Sequence, residues 1–404
     1  MAQRLLWASL ALAPVVILLR FVFHAGDVLL FALAAAALIP LAWLIGEATE
    51  HAAEHTGAGM GGFLNASFGN APELIIATFA IADGLPDVVR GSLAGSVVSN
   101  ILLVLGAALA LRGVSEERLD RRSLMAQLAL VLGAVLLLLI PSIPGWDGDP
   151  DRRSLTVLTL PVAIVLLIGY VLVTLQGLRR HRQLHRIEPH AEGVAGWTLK
   201  FALIVLGITT TVTALVAEVL VHSLDTFAEK AHMSEFFIAT VIVAIVGNAA
   251  EHGGAVVIAR RGKIRLATEI AISSSAQVGL FVIPAVALLS YLVTPALPLS
   301  FRPIELAAMG GAALFVAVVI ADGKARKSEG LLLLAVYVAV AAAFWFAGDR
   351  SPPHSSGTPA SPTRAALPAT IDAGRRLGVP HPGGDTGTGP ASAGTATSPA
   401  AEPE

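Results

Sequence analysis

The sequence predicts an all-α, polytopic membrane protein of about eleven transmembrane helices, with one leading helix and then two inverted five-helix repeats. Three observations predict it. Of the 404 residues, 55% are hydrophobic and only 14% charged, where a soluble domain carries about 25% charged residues. Apolar stretches of bilayer-spanning length recur along the whole chain. A polar motif set inside them, Gly69-Asn70-Ala71-Pro72-Glu73, returns 178 residues later as Gly247-Asn248-Ala249-Ala250-Glu251.

Composition also excludes. The net charge of −2 gives no polyelectrolyte surface and no case for nucleic acid. Without cysteine there is no disulfide, thiolate metal site or catalytic thiol. No resident cofactor is expected.

In chain order, candidate spans lie near residues 4–23, 28–50, 64–83, 88–111, 124–144, 154–177, 199–222, 235–259, 264–291, 303–321 and 329–347. The first apolar run, Leu5 to Leu19, lacks a small-residue cleavage site and reads as a retained helix. The expected units are a leading helix within 1–26, a first repeat over 27–177, a linker over 178–198, a second repeat over 199–347 and a tail over 348–404. The tail is rich in Pro, Gly, Ser, Thr and Ala and is expected to be disordered. The linker's His181, His185 and His190 read as part of a solvated cytoplasmic segment. Alternate loops hold sixteen Lys/Arg on the side of the N-terminus and six on the other. The N-terminus and linker are therefore expected in the cytoplasm and the tail outside.

The repeat shows in three aligned features. Glu47, His51 and Glu54 match Glu218, His222 and Asp225; Glu73 matches Glu251; Ser96 with Asn100 matches Ser273 with Gln277. Five helices per repeat is an odd number, so the second repeat enters from the opposite face. Inverted repeats are a transporter architecture with the ion site at mid-membrane.

An ionised side chain at the centre of a bilayer costs ~2.5–3.5 kcal/mol on insertion scales, so two matched glutamates need a reason. Asn70 lies three residues before Glu73, on the same face of a helix. Gly69 and Pro72 favour a local opening that frees carbonyl oxygens, and Ala250 in place of the proline implies a milder opening in the second copy. Glu73, Glu251, Asn70, Asn248 and freed carbonyls, supported by Ser96, Asn100, Ser273 and Gln277, supply the six to eight oxygens that calcium prefers. With the cation absent, the two carboxylates repel in a low dielectric and take up protons instead. Calcium and protons then compete for the same oxygens, which is antiport. Glu47, His51 and Glu54, with Glu50 and His55, mark one mouth; Glu218, His222 and Asp225, with Glu229, mark the other.

Two alternatives stand beside this reading. Similar oxygens serve a sodium/proton or a broad, manganese-capable antiporter. His51-Ala52-Ala53-Glu54-His55 also satisfies the H-x-x-E-H signature of inverted zinc proteases. The glycines at 57, 59, 61 and 62 lack the Lys-Ser/Thr ending of a phosphate loop and read as a hinge.

At these residues the sequence resembles the cation/proton exchanger (CAX) family of the wider cation/calcium exchanger superfamily. The resemblance is carried by GEATE (46–50), GGFLNASFGNAPELIIATFA (61–80), SLAGSVVSN (92–100), IVGNAAEHGGAVVIA (245–259) and EIAISSSAQVGLFVIP (269–284), and covers residues 27–347. It implies calcium export driven by inward protons through alternating access. Glu73 and Glu251 would be the shared ligands, assisted by Asn70 and Asn248, and the helices of Glu47 and Glu218 would be the sliding pair. The partners expected are calcium ions, protons and lipid. The compact, Ala/Leu/Arg-rich chain fits a bacterial inner membrane. The basic, His-bearing linker departs from the acidic segment of many eukaryotic relatives.

Overall fold

The computed structural model describes residues 2–113, 118–184, 196–292 and 296–350, and every regular element among them is helical. The expected disordered tail beyond 350, and His185 and His190 of the linker, lie outside the described residues. The helices are α1 (Leu6–Phe21), α2 (Asp27–Gly69), α3 (Ala71–Ala82), α4 (Pro86–Ala110), α5 (Arg121–Gly145), α6 (Arg153–Leu184) and α7 (Leu199–His222). They continue as α8 (Leu224–Ala231), α9 (Glu235–Gly247), α10 (Ala249–Arg260), α11 (Ile264–Leu292), α12 (Pro303–Val319) and α13 (Lys327–Ala347).

Helices suit this composition because a bilayer offers no water to the backbone, and a helix satisfies its own N–H and C=O groups. Their starts carry capping chemistry. Thr198 accepts the Phe201 N–H at 3.3 Å and Ser234 the Phe237 N–H at 3.1 Å. Pro86 and Pro303 open α4 and α12, where no N–H is needed. Gly84 (φ 75°) and Gly262 (φ 83°) take the left-handed conformation that turns α3 into α4 and α10 into α11.

Burial sorts the helices by role. In α4, 83% of the most apolar window is buried, against 22% in α6 and in α13. The latter two present apolar side chains outward, as lipid-facing helices do, while α4 is enclosed by protein and can carry polar groups. Glycines let other backbones approach it. A Cβ at Gly95 would overlap the Thr240 carbonyl of α9, and one at Gly91 would stand 3.2 Å from the Thr240 methyl. Gly106 and Gly330 do the same where α4 crosses α13. Three of the helices widen into π turns: α4 over Ser99–Val104, α9 over Ile238–Val243 and α11 over Val278–Val282.

Among the described residues, seven helices are long and apolar enough to cross a membrane, or eight if α8 and α9, bent by 114°, count as one span; the shorter apolar helices are α1, α3 and α12. Two expectations are corrected. The spans expected at 28–50 and 64–83 are not separated by a hinge: α2 runs through the glycines at 57–62 as 43 continuous helical residues, roughly 65 Å at 1.5 Å per residue. Scattered glycines weaken a helix without ending it. The chain breaks instead at Asn70 (φ −99°, ψ 15°) and at Asn248 (φ −95°, ψ 12°). The second opening is therefore no milder than the first. Pro72 occupies the first turn of α3, where its missing N–H costs nothing, so the asparagine and not the proline marks the break.

Gly95→Ala is expected to destabilise the protein by about 1–3 kcal/mol, the cost of overpacking a close contact. Gly254 is the control, because a Cβ added there would meet nothing within 4 Å: Gly254→Ala should show no loss. Thermal unfolding in detergent distinguishes the two.

Candidate cation site

The two helix breaks place a carboxamide and, three residues on, a carboxylate at the starts of α3 and α10. Asn70, Asn248 and Glu73 are buried, and Glu251 is half-buried. Gly247 is what brings the halves together: a Cβ there would stand 3.4 Å from Glu73 Cγ, so the glycine of one motif forms a wall beside the glutamate of the other.

Each carboxamide is fixed by the opposite half of the chain. Asn70 Nδ2 donates to Gln277 Oε1 on α11 at 3.2 Å. Asn248 Nδ2 donates to Ser96 Oγ on α4 at 2.8 Å and to the Ala244 carbonyl at 2.9 Å. Asn100, also on α4, is a hub. Its Nδ2 donates to Asn248 Oδ1 at 3.2 Å and to Ser274 Oγ at 2.9 Å, and its Oδ1 pairs with His252 Nε2 at 3.0 Å. Ser274 donates its hydroxyl to Glu251 Oε2.

The two carboxylates differ. Glu251 belongs to this hydrogen-bonded network. Glu73 Oε2 is buried with no hydrogen-bond partner among the described residues. Glu73 lines a small cavity together with Ile76, Ser92, Leu93, Ser96, Val243 and Gly247. An unpartnered buried carboxylate oxygen is costly, and a cation or a proton relieves it. Among the described residues no group of three or more His, Asp or Glu converges as a metal site. A cation held here would take two carboxylates and complete its shell from amide, hydroxyl and backbone oxygens, which suits a hard ion.

Of the predicted residues, Glu73, Glu251, Asn70, Asn248, Ser96, Asn100 and Gln277 come together. Ser273 does not: its hydroxyl bonds back to the Ile270 carbonyl at 3.2 Å. The structure replaces it with Ser274. The sequence held the signal, because Gly69/Gly247, Asn70/Asn248, Glu73/Glu251 and Gly84/Gly262 all share the 178-residue spacing. The same spacing pairs Ser96 with Ser274 and Ser99 with Gln277, and leaves Asn100 opposite Val278. His252 is a further member missed by the sequence reading; its counterpart is Leu74.

The predicted mouths are only partly alike. On α2, His51 lies 3.9 Å from Glu47 and 3.2 Å from Glu54, and its ring packs on Trp197 with centroids 4.9 Å apart. Glu218, His222 and Asp225 are exposed. Glu218 and His222 lie on α7, which ends at His222, and Asp225 lies on α8, with Ser223 between the two helices. In the H-x-x-E-H segment, His55 Nε2 pairs with the Trp197 carbonyl at 2.8 Å while His51 turns to the carboxylates. The two histidines serve different contacts.

Comparison with known proteins adds to this geometry. The model of the family described as "sodium/calcium exchanger protein" matches residues 27–176 and again 201–346. The chain is 36% identical over 329 residues to a Ca(2+)/H(+) antiporter, ChaA, of Bacillus subtilis (strain 168), covering 80% of this chain and 93% of that one. It is 34% identical over 344 residues to a Ca(2+)/H(+) antiporter of Aphanothece halophytica, covering 80% and 91%. Among solved structures, native YfkE superposes with a TM-score of 0.73 at 33% identity, over 84% of this chain and 99% of that one.

Two outcomes are expected. Pro72→Ala should leave the break at Asn70 in place, read as unchanged exchange of the surrounding amides against hydrogen. Asn100→Leu should cost about 1–3 kcal/mol of stability, because it strands buried partners on Asn248, Ser274 and His252; chemical unfolding in detergent measures it.

Proposed function

The chain belongs to the sodium/calcium exchanger protein family, and from that membership we propose that it is a Ca2+/H+ antiporter, a secondary transporter and not an enzyme, which exports calcium across its membrane in exchange for protons. One observation carries the assignment of the site. Glu73 and Glu251 sit at matched helix breaks whose asparagines bond to the opposite half of the chain, with one Glu73 oxygen buried and without a hydrogen-bond partner among the described residues.

The chemistry follows from charge balance. Two carboxylates match one divalent cation. Calcium bridges Glu73 and Glu251 and draws further oxygens from Asn70, Gln277, Ser96 and the backbone freed at the breaks. Asn100 and Ser274 orient Asn248 and Glu251. When calcium leaves, two carboxylates facing each other in a low dielectric take up protons. The site is loaded with calcium or with protons and does not cross empty and charged. Two protons per calcium makes the exchange electroneutral; a different count would make it voltage-sensitive by ~2.3 kcal/mol per charge per 100 mV.

Alternating access is assigned to α2 and α7, which pack on each other more extensively than any other pair of described helices. The two five-helix units, 27–177 and 199–347, are read as inverted repeats; the double match of the family model supports this. The end of the bundle that carries Arg260, Arg261, Lys263, Arg265, Lys324 and Arg326 is read as cytoplasmic, a reading its basic charge supports, with the opposite end outside. A bacterial inner membrane is the proposed location.

Labelled-calcium uptake into inverted vesicles, driven by an imposed proton gradient, tests this. Glu73→Gln and Glu251→Gln should each abolish uptake. Ser274→Ala should raise the apparent KM for calcium about ten-fold, since a hydrogen bond to a charged group contributes roughly 1.5–3 kcal/mol, while Ser273→Ala stays near wild type. Glu54→Gln should retain uptake, and purified protein should contain no zinc; the reverse would favour the protease reading. Sodium and manganese serve as competitors, and a pH jump that moves sodium but not calcium would replace the ion assigned here.

A further inference from the structure

Arg90 is the largest side chain with no exposed surface. It lies in the second turn of α4, just before Ser92 and Ser96. A buried guanidinium needs its charge answered and its donors filled; both terminal nitrogens of Arg90 are paired, while Nε has no partner among the described residues. Nη2 donates to Asp87 Oδ1 at 2.7 Å, in the first turn of the same helix. Nη1 donates to Asp151 Oδ1 at 2.8 Å, ahead of α6, and to the Pro298 carbonyl at 3.2 Å, ahead of α12. Asp87 is shared with Arg350 at 3.4 Å, and Arg350 donates to the Ser300 carbonyl at 3.0 Å.

The contacts continue to a second helix of the site. Arg302 donates to the Gly348 carbonyl at 2.7 Å and to the Ala347 carbonyl at 3.1 Å, neutralising the negative end of α13. Its guanidinium lies 4.3 Å from the centre of the Phe236 ring. The Phe236 N–H, in the first turn of α9, donates to Asp349 Oδ1 at 2.9 Å. Because Asp349 and Arg350 are adjacent, one set of charges joins the start of α4 to the start of α9 by way of the residues that follow α13.

The end of α9 meets the middle of α4. There α4 delivers Ser96 and Asn100, and α9 ends at the Asn248 break. Between the two meeting places, Gly91 and Gly95 hold the backbones in contact, so neither helix can shift along the other without losing the fit. The start of α11, at the opposite end of the bundle, is held by Arg265 with Asp120 at 2.7 Å and Glu269 at 3.6 Å, but there the arginine side chain is 55% exposed. A buried guanidinium that loses its partners is costly, whereas the exposed Arg265 pair contributes little.

We propose that Arg90 is a positioning residue for cation binding: by fixing the start of α4 against the start of α9, it sets the distances at which Ser96 and Asn100 meet Asn248. None of the clamp's members lies on α2 or α7, so it stiffens the site without tethering the pair assigned to movement. The inference rests on the transport reading above.

Arg90→Lys, Arg90→Gln and Asp151→Asn test it by calcium uptake in inverted vesicles at matched amounts of folded protein, together with the calcium-dependent shift of the unfolding midpoint of purified protein. Arg90→Gln should raise the apparent KM for calcium about five-fold with the maximal rate within about two-fold, the pattern of a displaced ligand set. Arg90→Lys keeps the charge without the two-pronged geometry and should recover part of the loss. A purely structural role would lower yield and midpoint but leave the KM of the folded fraction unchanged, and that result for Arg90→Lys and Asp151→Asn overturns the proposal. Those two variants decide the matter if Arg90→Gln does not fold. Wild-type vesicles that take up no calcium would overturn the transport reading instead, and the calcium-dependent midpoint shifts would then decide for or against Arg90.

Discussion

A helix interrupted inside an apolar bundle must have its loose polar groups satisfied by protein, and the rest of this structure depends on how that is done at Asn70 and Asn248. Each break exposes backbone and carries an amide and a carboxylate into a setting without water. Both amides also reach across to the other half. Asn70 finds Gln277 and Asn248 finds Ser96 and Asn100, so each half completes the other. This is why α4 and α11 are buried and why glycines bring α4 against α9. On Glu73 a buried oxygen is left without a hydrogen-bond partner among the described residues.

Much of this is legible in the sequence. The all-helical membrane class follows from composition, because few soluble chains combine so little charge with apolar runs of such length. Glu73 and Glu251 stand out because charge in a bilayer is expensive, and their matched contexts point to one shared site. What misleads is local. A run of three serines hides its own register, so Ser273 and Ser274 are told apart only by the spacing of the glycines and asparagines. His252 escapes notice because a lone histidine beside a glutamate has no periodic signal. The glycines at 57–62 suggest a hinge by their number, yet the helix on both sides outweighs them. Pro72 suggests a bend that Asn248 makes equally well without a proline.

The Arg90 clamp belongs to another class of feature. Asp87 and Arg90 are linked by their spacing of three on one helix, but nothing in the sequence links them to Asp151, Arg302 and Arg350, which are separated from them by whole helices. Each looks like an ordinary loop charge near a membrane edge, and only the packing shows that a guanidinium with no exposed surface joins them. Charges of this kind are invisible to motif reading because their partners are set by topology.

The π turns limit how alike the two halves can be. A π turn holds one residue more than an α turn, so every side chain beyond it is rotated relative to an uninterrupted helix. In α4 the wide turn begins at Ser99 and includes Asn100; in α11 it begins at Val278, just after Gln277. The two amides therefore reach the centre on different helical phases, one from within the wide turn and one from before it. The pseudo-symmetry of the chain is thus broken by angle as well as by residue type. Deleting a single residue from either wide turn would rotate the remainder of that helix by about 100°, the α-helical step. The polar centre carries a phase relation that the linear alignment of the two halves does not contain.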